Sequence, residues 1–264
     1  MRGHWKKHFL LGVSCAALAV ATPAQAAPRV PGYNWTGWYA GGNFGYSWGR
    51  AENNYSEPGF CCGLPTSIEQ SAQLNGVIGG GQIGYNWEPN PYTVVGFETD
   101  FQASGEKGSS NSSNPYSFTA CDGFCTASGT VSNTVSSSIL WFGTVRGRAG
   151  VLINPTLLLY GTSGLAYSRI STSGIVSDTA CTFPVTTCSW SYGNSKIKVG
   201  WTVGTGLEGV IPNTTNWTWK LEALYIDFGT ISGTGYDTDF GSPYSWSTKV
   251  TDSILRVGIN YQFH

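Results

Sequence analysis

Charged side chains are scarce in this chain, 11% of its 264 residues, where a soluble domain carries about a quarter. A water-exposed surface of ordinary composition is therefore excluded. The charge balance is also nearly neutral, 14 basic against 15 acidic residues, which removes the electrostatic case for nucleic acid as a partner. Histidine is scarcer still, with only His4, His8 and His264. That leaves a histidine-based metal centre without ligands and a serine nucleophile without its usual base. Long apolar runs are confined to residues 9–20, and a spanning helix needs about 20 apolar residues. Any crossing of a membrane has to use strands, because in lipid only helices and closed barrels satisfy their own backbone.

The apolar run follows Arg2, Lys6 and Lys7 and precedes Ala24-Gln25-Ala26. This is the layout of a secretory signal peptide cleaved after Ala26. Residues 1–26 are read as that signal and residues 27–264 as one domain, since no linker or repeat divides them. Cys15, inside the run, lacks the upstream leucine of a lipoprotein site. Cleavage leaves 11 basic and 15 acidic residues, a net charge near −4. It also leaves six cysteines in three close pairs, Cys61/Cys62, Cys121/Cys125 and Cys181/Cys188. An even number in an exported chain points to disulfides, with pairing inside the close pairs and pairing across loops both open.

Glycine (36 residues) and aromatic side chains (14%) are abundant, and the aromatic ones fall in a period of two. Eight segments alternate, at residues 38–48, 74–87, 93–103, 139–152, 157–168, 196–210, 217–228 and 253–263. In the first, Trp38, Ala40, Phe44, Tyr46 and Trp48 share one face, and Gly41, Asn43, Gly45 and Ser47 the other. In the last, Leu255, Val257, Ile259, Tyr261 and Phe263 oppose Arg256, Asn260 and Gln262. Segments of about 10 alternating residues are the signature of transmembrane barrel strands. Between them, the Ser/Gly/Asn/Thr-rich stretches 50–72, 105–136, 169–194 and 229–249 alternate with short turns at 88–91, 154–156 and 211–214. One end of the barrel would carry four long loops and the other the tight turns. The sequence therefore predicts an all-β fold: an eight-stranded antiparallel transmembrane β-barrel of outer-membrane type with four long extracellular loops. Both chain ends then face the periplasm.

A soluble lipocalin-like barrel also alternates, but with its apolar face inward. The polar face here carries Glu98, Asp100, Glu208 and Glu222 beside Arg146, Arg148, Lys198, Lys220 and Arg256. These charges nearly balance, as expected of a network that pairs across a narrow lumen. Trp and Tyr cluster near strand ends on the apolar face, as in the girdles at the two membrane interfaces.

Several strand motifs carry a family resemblance. The opening Asn34-Trp35-Thr36-Gly37-Trp38-Tyr39-Ala40-Gly41-Gly42, the stretch Trp141-Phe142-Gly143-Thr144-Val145-Arg146-Gly147-Arg148, and Tyr160-Gly161-Thr162-Ser163-Gly164-Leu165-Ala166-Tyr167 are three of them. Lys220-Leu221-Glu222-Ala223-Leu224-Tyr225 with Asp227-Phe228-Gly229, and the ending Arg256-Val257-Gly258-Ile259-Asn260-Tyr261, complete the set. Together they resemble the alphaproteobacterial outer-membrane immunogenic protein (surface-antigen) family, a porin-family branch of the small OmpA-like barrels. The resemblance implies location in the outer membrane, surrounding lipid as a partner, and recognition by the barrel-assembly machinery through a terminal aromatic signal. Tyr261 and Phe263 stand at that signal, with His264 one residue beyond. The six cysteines depart from the family pattern.

The expected function is structural: a barrel that supports the envelope and displays loops to host or environmental surfaces, its lumen plugged by the charge network. The alternatives are a small passive channel, because the family is often labelled porin, and a haem- or ligand-binding surface protein. Glu98 and Asp100, two apart on one face, could form an acid/base pair. Arg146 and Arg148 at the same spacing make a salt-bridge ladder the better account, so no enzyme, no cofactor and no metal site is expected.

Overall fold

The computed structural model describes residues 33–57, 67–120, 125–182, 186–237 and 242–263. The signal segment, Cys61, Cys62, Cys121 and His264 lie outside them. For Cys125, Cys181 and Cys188 only the strand backbone is described.

Eight strands follow in chain order: β1 (Gly37–Ser56), β2 (Ser67–Asn90), β3 (Thr93–Ala120), β4 (Cys125–Asn154), β5 (Leu157–Thr182), β6 (Thr186–Val210), β7 (Trp217–Asp237) and β8 (Ser242–Phe263). Each pairs antiparallel with its neighbours, and β8 closes on β1 to complete a barrel. Hydrogen-bonded partners followed round the wall from Tyr39 pass through Gly84, Glu98, Arg146, Gly164, Thr202, Ile226 and Asp252. They return to β1 at Gly49, ten residues further along. That stagger tilts the strands, and eight of them enclose a space just wide enough for side chains to fill.

Alternation decides what faces where. Phe44, Val77, Ile83, Leu165, Ile197 and Val199 stand out from the wall, whereas Glu98, Arg146, Lys220, Glu222 and Arg256 are buried inside it. Two belts of ring contacts bracket the apolar outer band. One runs through Trp38, Tyr85 and Phe97 and through Trp217, Tyr261 and Phe263 at the tight-turn end. The other runs through Tyr46 and Trp48, Phe101, Trp141 and Tyr167, and Trp201 and Tyr225. Aromatic girdles of this kind mark the interfaces of a membrane-spanning barrel.

At the tight-turn end, Asn213 takes a positive φ of 63°. Asparagine tolerates this left-handed conformation better than most residues. The Thr214 amide closes the turn onto the Ile211 carbonyl at 3.1 Å.

At the far end the structure departs from the expectation of long loops. The strands run 20 to 30 residues, well past the second girdle. Ser- and Thr-rich composition reads as loop, yet apolar and aromatic residues recur on one alternating face there, interspersed with polar ones such as Asn53, Asn133 and Thr172. Ala51 and Tyr55, Ile68 and Ala72, Val131 and Val135, Ile170 and Val176 are all buried. Alternation of this kind sustains a half-buried strand whatever the polar face contains. Pairing of β2 with β3 ends at Asn75↔Lys107, and pairing of β6 with β7 at Trp201↔Asp227. Beyond those rungs the wall divides into two four-stranded sheets, β7-β8-β1-β2 and β3-β4-β5-β6. A bulge between Asp227 and Gly229 marks the second division. Gly229 has φ 71° and its amide donates to Asp227 Oδ1 at 2.7 Å.

The two sheets face each other across an apolar core. Tyr55, Ile68, Leu74, Ile231, Trp246 and Val250 from one meet Val131, Val135, Ile139, Ile170, Val176 and Tyr192 from the other. Rings bridge the gap, Tyr55 to Tyr192 at 5.3 Å and Tyr192 to Trp246 at 5.7 Å between centroids. The Trp190 indole donates to the Tyr55 hydroxyl at 3.0 Å.

Candidate functional site

The lumen between the girdles is filled by side chains in layers. Its lowest layer, at the tight-turn end, is apolar. The segment leading into β1 turns under the barrel and inserts Trp35, which is fully buried against Val94, Leu158 and Tyr160. The Trp35 indole donates to the Pro155 carbonyl at 3.2 Å, and its amide to Glu88 Oε2 at 3.2 Å. Tyr33 Oη donates to Gln262 Oε1 at 2.6 Å, and Gln262 Nε2 to the Asn34 carbonyl at 3.0 Å. Six residues from four strands and one turn thus hold the entering segment in place.

Above this cap lies the ionic layer. Arg146 reaches Glu98 at 2.5 Å, Asp100 at 2.9 Å and Glu222 at 3.0 Å. Arg256 approaches Glu222 at 2.6 Å and Asp100 at 2.8 Å. Lys220 joins Glu98 at 2.9 Å, and Arg148 joins Glu208 at 2.6 Å. The four acids and four bases therefore neutralise each other. In a medium of low dielectric an unpaired member would cost several kcal/mol. Hydroxyls and amides take up much of the remaining hydrogen-bonding capacity. Tyr39 donates to Glu98 at 2.8 Å, Tyr160 to Glu222 at 2.9 Å, Thr144 to Asp100 at 2.8 Å and Thr218 to Glu208 at 2.7 Å. The Arg148 guanidinium also lies 4.0 Å from the centre of the Tyr160 ring, a cation–π contact. Glycine makes room for these rings: a Cβ on Gly206 would approach the Tyr160 hydroxyl to 2.5 Å.

The next layer is neutral and then acidic. Asn43 donates to Gln82, and Gln82 to Asn260 at 2.6 Å. Past them Glu106 and Asp252 are buried on opposite sides of the lumen, both turned toward the Ser47 hydroxyl. Glu106 also accepts from Ser104 at 2.9 Å. No basic side chain pairs with either carboxylate among the described residues. Above this pair begins the apolar core of the two-sheet head, where burial pushes the Tyr192 phenol up from its ordinary range.

Eight of the nine charged residues read from alternation meet in the ionic layer, and Lys198 does not. Lys198 lies on the inward-facing phase of β6 but beyond the last β6–β7 rung, where no strand closes the wall over it. Three contributors escaped the sequence reading. Trp35 precedes the first alternating segment, whereas Glu106 and Asp252 stand just outside the ends assigned to their strands. Extending those strands in phase would have placed both acids on the inner face. Tyr261 and Phe263 lie on the lipid face of β8, partly exposed. Among the described residues there is no cluster of three or more His, Cys, Asp or Glu able to hold a metal ion.

The outer membrane protein beta-barrel domain family model matches residues 13–263. The chain is 34% identical over 256 residues to the 31 kDa outer-membrane immunogenic protein of Brucella melitensis, covering 97% of this chain and 95% of that protein. It is 31% identical to the 22 kDa outer membrane protein of Rhizobium leguminosarum bv. viciae, over 91% of this chain and 83% of that one. Among solved structures, the outer membrane protease OmpT of Escherichia coli covers 89% of this chain and 99% of its own, at 12% identity and a TM-score of 0.42. Neisserial surface protein A covers 83% and 97%, at 13% identity and a TM-score of 0.35.

Proposed function

The chain belongs to the outer-membrane β-barrel family, with alphaproteobacterial outer-membrane immunogenic proteins among its relatives, and on that premise we propose that it is a closed structural barrel, not a channel. It spans the outer membrane between its girdles, supports the envelope and displays the two-sheet head outside the cell. The observation that carries this reading is the filled lumen: eight buried charged side chains pair with one another across it, closed below by Trp35 and above by an apolar core. A conducting path would have to break several of these pairs, each of which is costly to separate in low dielectric.

The same saturation supports a non-enzymatic role. Glu98 and Asp100, the acid/base candidates, are each engaged by two arginines or more and are sealed from solvent. A haem ligand would have to come from His264, a tyrosine or a loop cysteine, so the sequence gives that reading little support. The six cysteines of the exported chain are taken as disulfide-bonded, so thiol titration before reduction should find none free. Recording from the purified, refolded barrel in planar bilayers tests the main reading. No steady conductance above background is expected, and a steady conductance overturns it.

A further inference from the structure

Above Trp201 the β6 strand is paired on one side only. β5 follows it rung by rung from Gly209 to Cys188 without a break, whereas β7 leaves it at Trp201↔Asp227. The turn below shows which way the backbone groups point. Val210, on the inward phase, donates its amide toward β5, to the Thr156 carbonyl at 2.9 Å. Ile211, on the other phase, donates to the Trp217 carbonyl at the start of β7, also at 2.9 Å. Successive residues of a strand alternate in this respect as their side chains do. Ser195, Ile197 and Val199 therefore turn their amides and carbonyls to the side that β7 has vacated. They form an open hydrogen-bonding edge just beyond the second girdle.

The inward phase of this edge is basic. Lys196 and Lys198 stand about 7 Å apart along the strand, the first exposed and the second half-buried. Opposite them on β5 are Ile170 and Ser168, both buried. Neither lysine has a carboxylate partner among the described residues. Asp227, at the top of the β6–β7 ladder, is already engaged by Lys249 at 3.7 Å and by the Gly229 amide at 2.7 Å. The outward phase is apolar instead, with Ile197 65% and Val199 64% exposed.

The other open edges of the head differ. β7 is kinked by its bulge at Asp227/Gly229 and β3 carries Pro115, two devices that blunt an edge. The β2 edge, residues 67–74, bears no basic residue. On β6 a newly added antiparallel strand would meet each lysine at a non-hydrogen-bonded position, where facing residues come closest, about 4.5 Å between Cα atoms. Carboxylates two residues apart on that strand would face both ammonium groups. The side chains between them would lie beside Ile197 and Val199. A second copy of the same edge would bring lysine to lysine and be repelled.

We propose that the β6 edge around Ser195, Ile197 and Val199 docks an extended segment of another polypeptide, added as an antiparallel strand whose side chains alternate between acidic and apolar. The side of the membrane from which that partner comes rests on the display role proposed above. Nanodiscs expose both ends of the barrel, so the binding test stands apart from that reading.

The test uses the mature barrel in phosphatidylcholine nanodiscs and a short synthetic peptide alternating glutamate with valine, with binding read by amide hydrogen exchange. The Ser195, Ile197 and Val199 amides should gain protection, while the Lys196 and Lys198 amides, already directed to β5, should not change. The same peptide N-methylated on alternate amides should bind about tenfold more weakly or worse, for loss of its edge hydrogen bonds. K196E/K198E should weaken the peptide by about tenfold or more and accept a lysine–valine peptide in its place. I197P removes one edge amide and spares the bonds to β5, so it should weaken binding too, whereas K107E should leave it unchanged. Absence of binding, equal binding of the N-methylated peptide, or equal binding by K196E/K198E overturns the proposal. So does protection that appears on β2, β3 or β7 in place of β6. Protection of the same amides without peptide, in discs that hold two barrels, would assign the edge to a second copy and overturns it as well. Folding of each variant is read from its gel shift on heating. If I197P fails to fold, the N-methylated peptide makes the same comparison on the wild type.

Discussion

Arg146 Nη2 lies 2.5 Å from Glu98 Oε1, between residues that the β3–β4 register sets directly opposite each other. The same guanidinium holds Asp100 and Glu222, so one side chain from β4 ties two carboxylates of β3 to one of β7. Removing it leaves four buried carboxylates facing three bases, so one negative charge goes uncompensated. Arg146→Ala should destabilise the barrel by about 3–5 kcal/mol, whereas Lys107→Ala, on the exposed face, should change stability by less than about 0.5 kcal/mol. The urea midpoint of unfolding in lipid vesicles measures both. Equal midpoints would show that the ionic layer contributes little to stability.

Trp35 closes the tight-turn end. Trp35→Ala should cost about 3–5 kcal/mol, the usual range for a buried tryptophan, without opening a path, because the Arg148–Glu208 pair and Tyr160 lie immediately above it. Urea unfolding reads the first effect and planar-bilayer recording the second. A steady current in the variant would assign the seal to the tryptophan and not to the ions.

Glu106 and Asp252 present two buried carboxyl groups to one serine, with no cation beside them among the described residues. Burial pushes the Glu106 carboxyl up to about 8, so near neutral pH it is mainly protonated in the folded barrel and ionised in the unfolded chain; Glu106→Gln keeps the shape and removes the cost of taking up that proton. It should stabilise the barrel at neutral pH by about 1–3 kcal/mol, the scale of an uncompensated buried polar group. Adding Asp252→Asn should bring a smaller further gain, because burial raises the Asp252 carboxyl only to about 6. A midpoint that falls in Glu106→Gln would show that the pair is held by an interaction other than the Ser47 hydroxyl.

Tyr192 joins the two sheets of the head through its contacts with Tyr55, Tyr244 and Trp246. Tyr192→Ala should loosen the head alone. Amide exchange is expected to rise in β6 from residue 186 to 200, where no β7 partner protects the edge, while amides between the girdles keep their protection. Exchange that rises equally in both regions would mean that head and barrel unfold as one unit.

Lys198 shows where reading the chain reached its limit. Its phase on β6 matches that of Glu208, and the phase is correct as far as it goes. Whether an inward-phased residue enters the lumen depends on the neighbouring strand, and the β6–β7 ladder ends three residues short of it. The Ser/Thr-rich stretches mislead in the opposite sense. Their composition resembles loop, but Val131, Val135, Ile170 and Val176 keep the period of two and are buried. What they pack against is a second sheet, contributed by strands up to about a hundred residues away in the chain.

The sequence by itself determined the strand number, the face presented by each residue between the girdles, the balance of inner charge and the membrane location. These follow from local properties: alternation, short turns and the low number of charges needed where lipid replaces water. Only the tertiary structure decided which carboxylate each arginine holds, that Trp35 turns back to cap the lumen, and that the wall divides above the second girdle. Those outcomes depend on the ten-residue stagger of the closed wall. It brings side chains from non-adjacent strands to one height, a relation that no window along the chain contains.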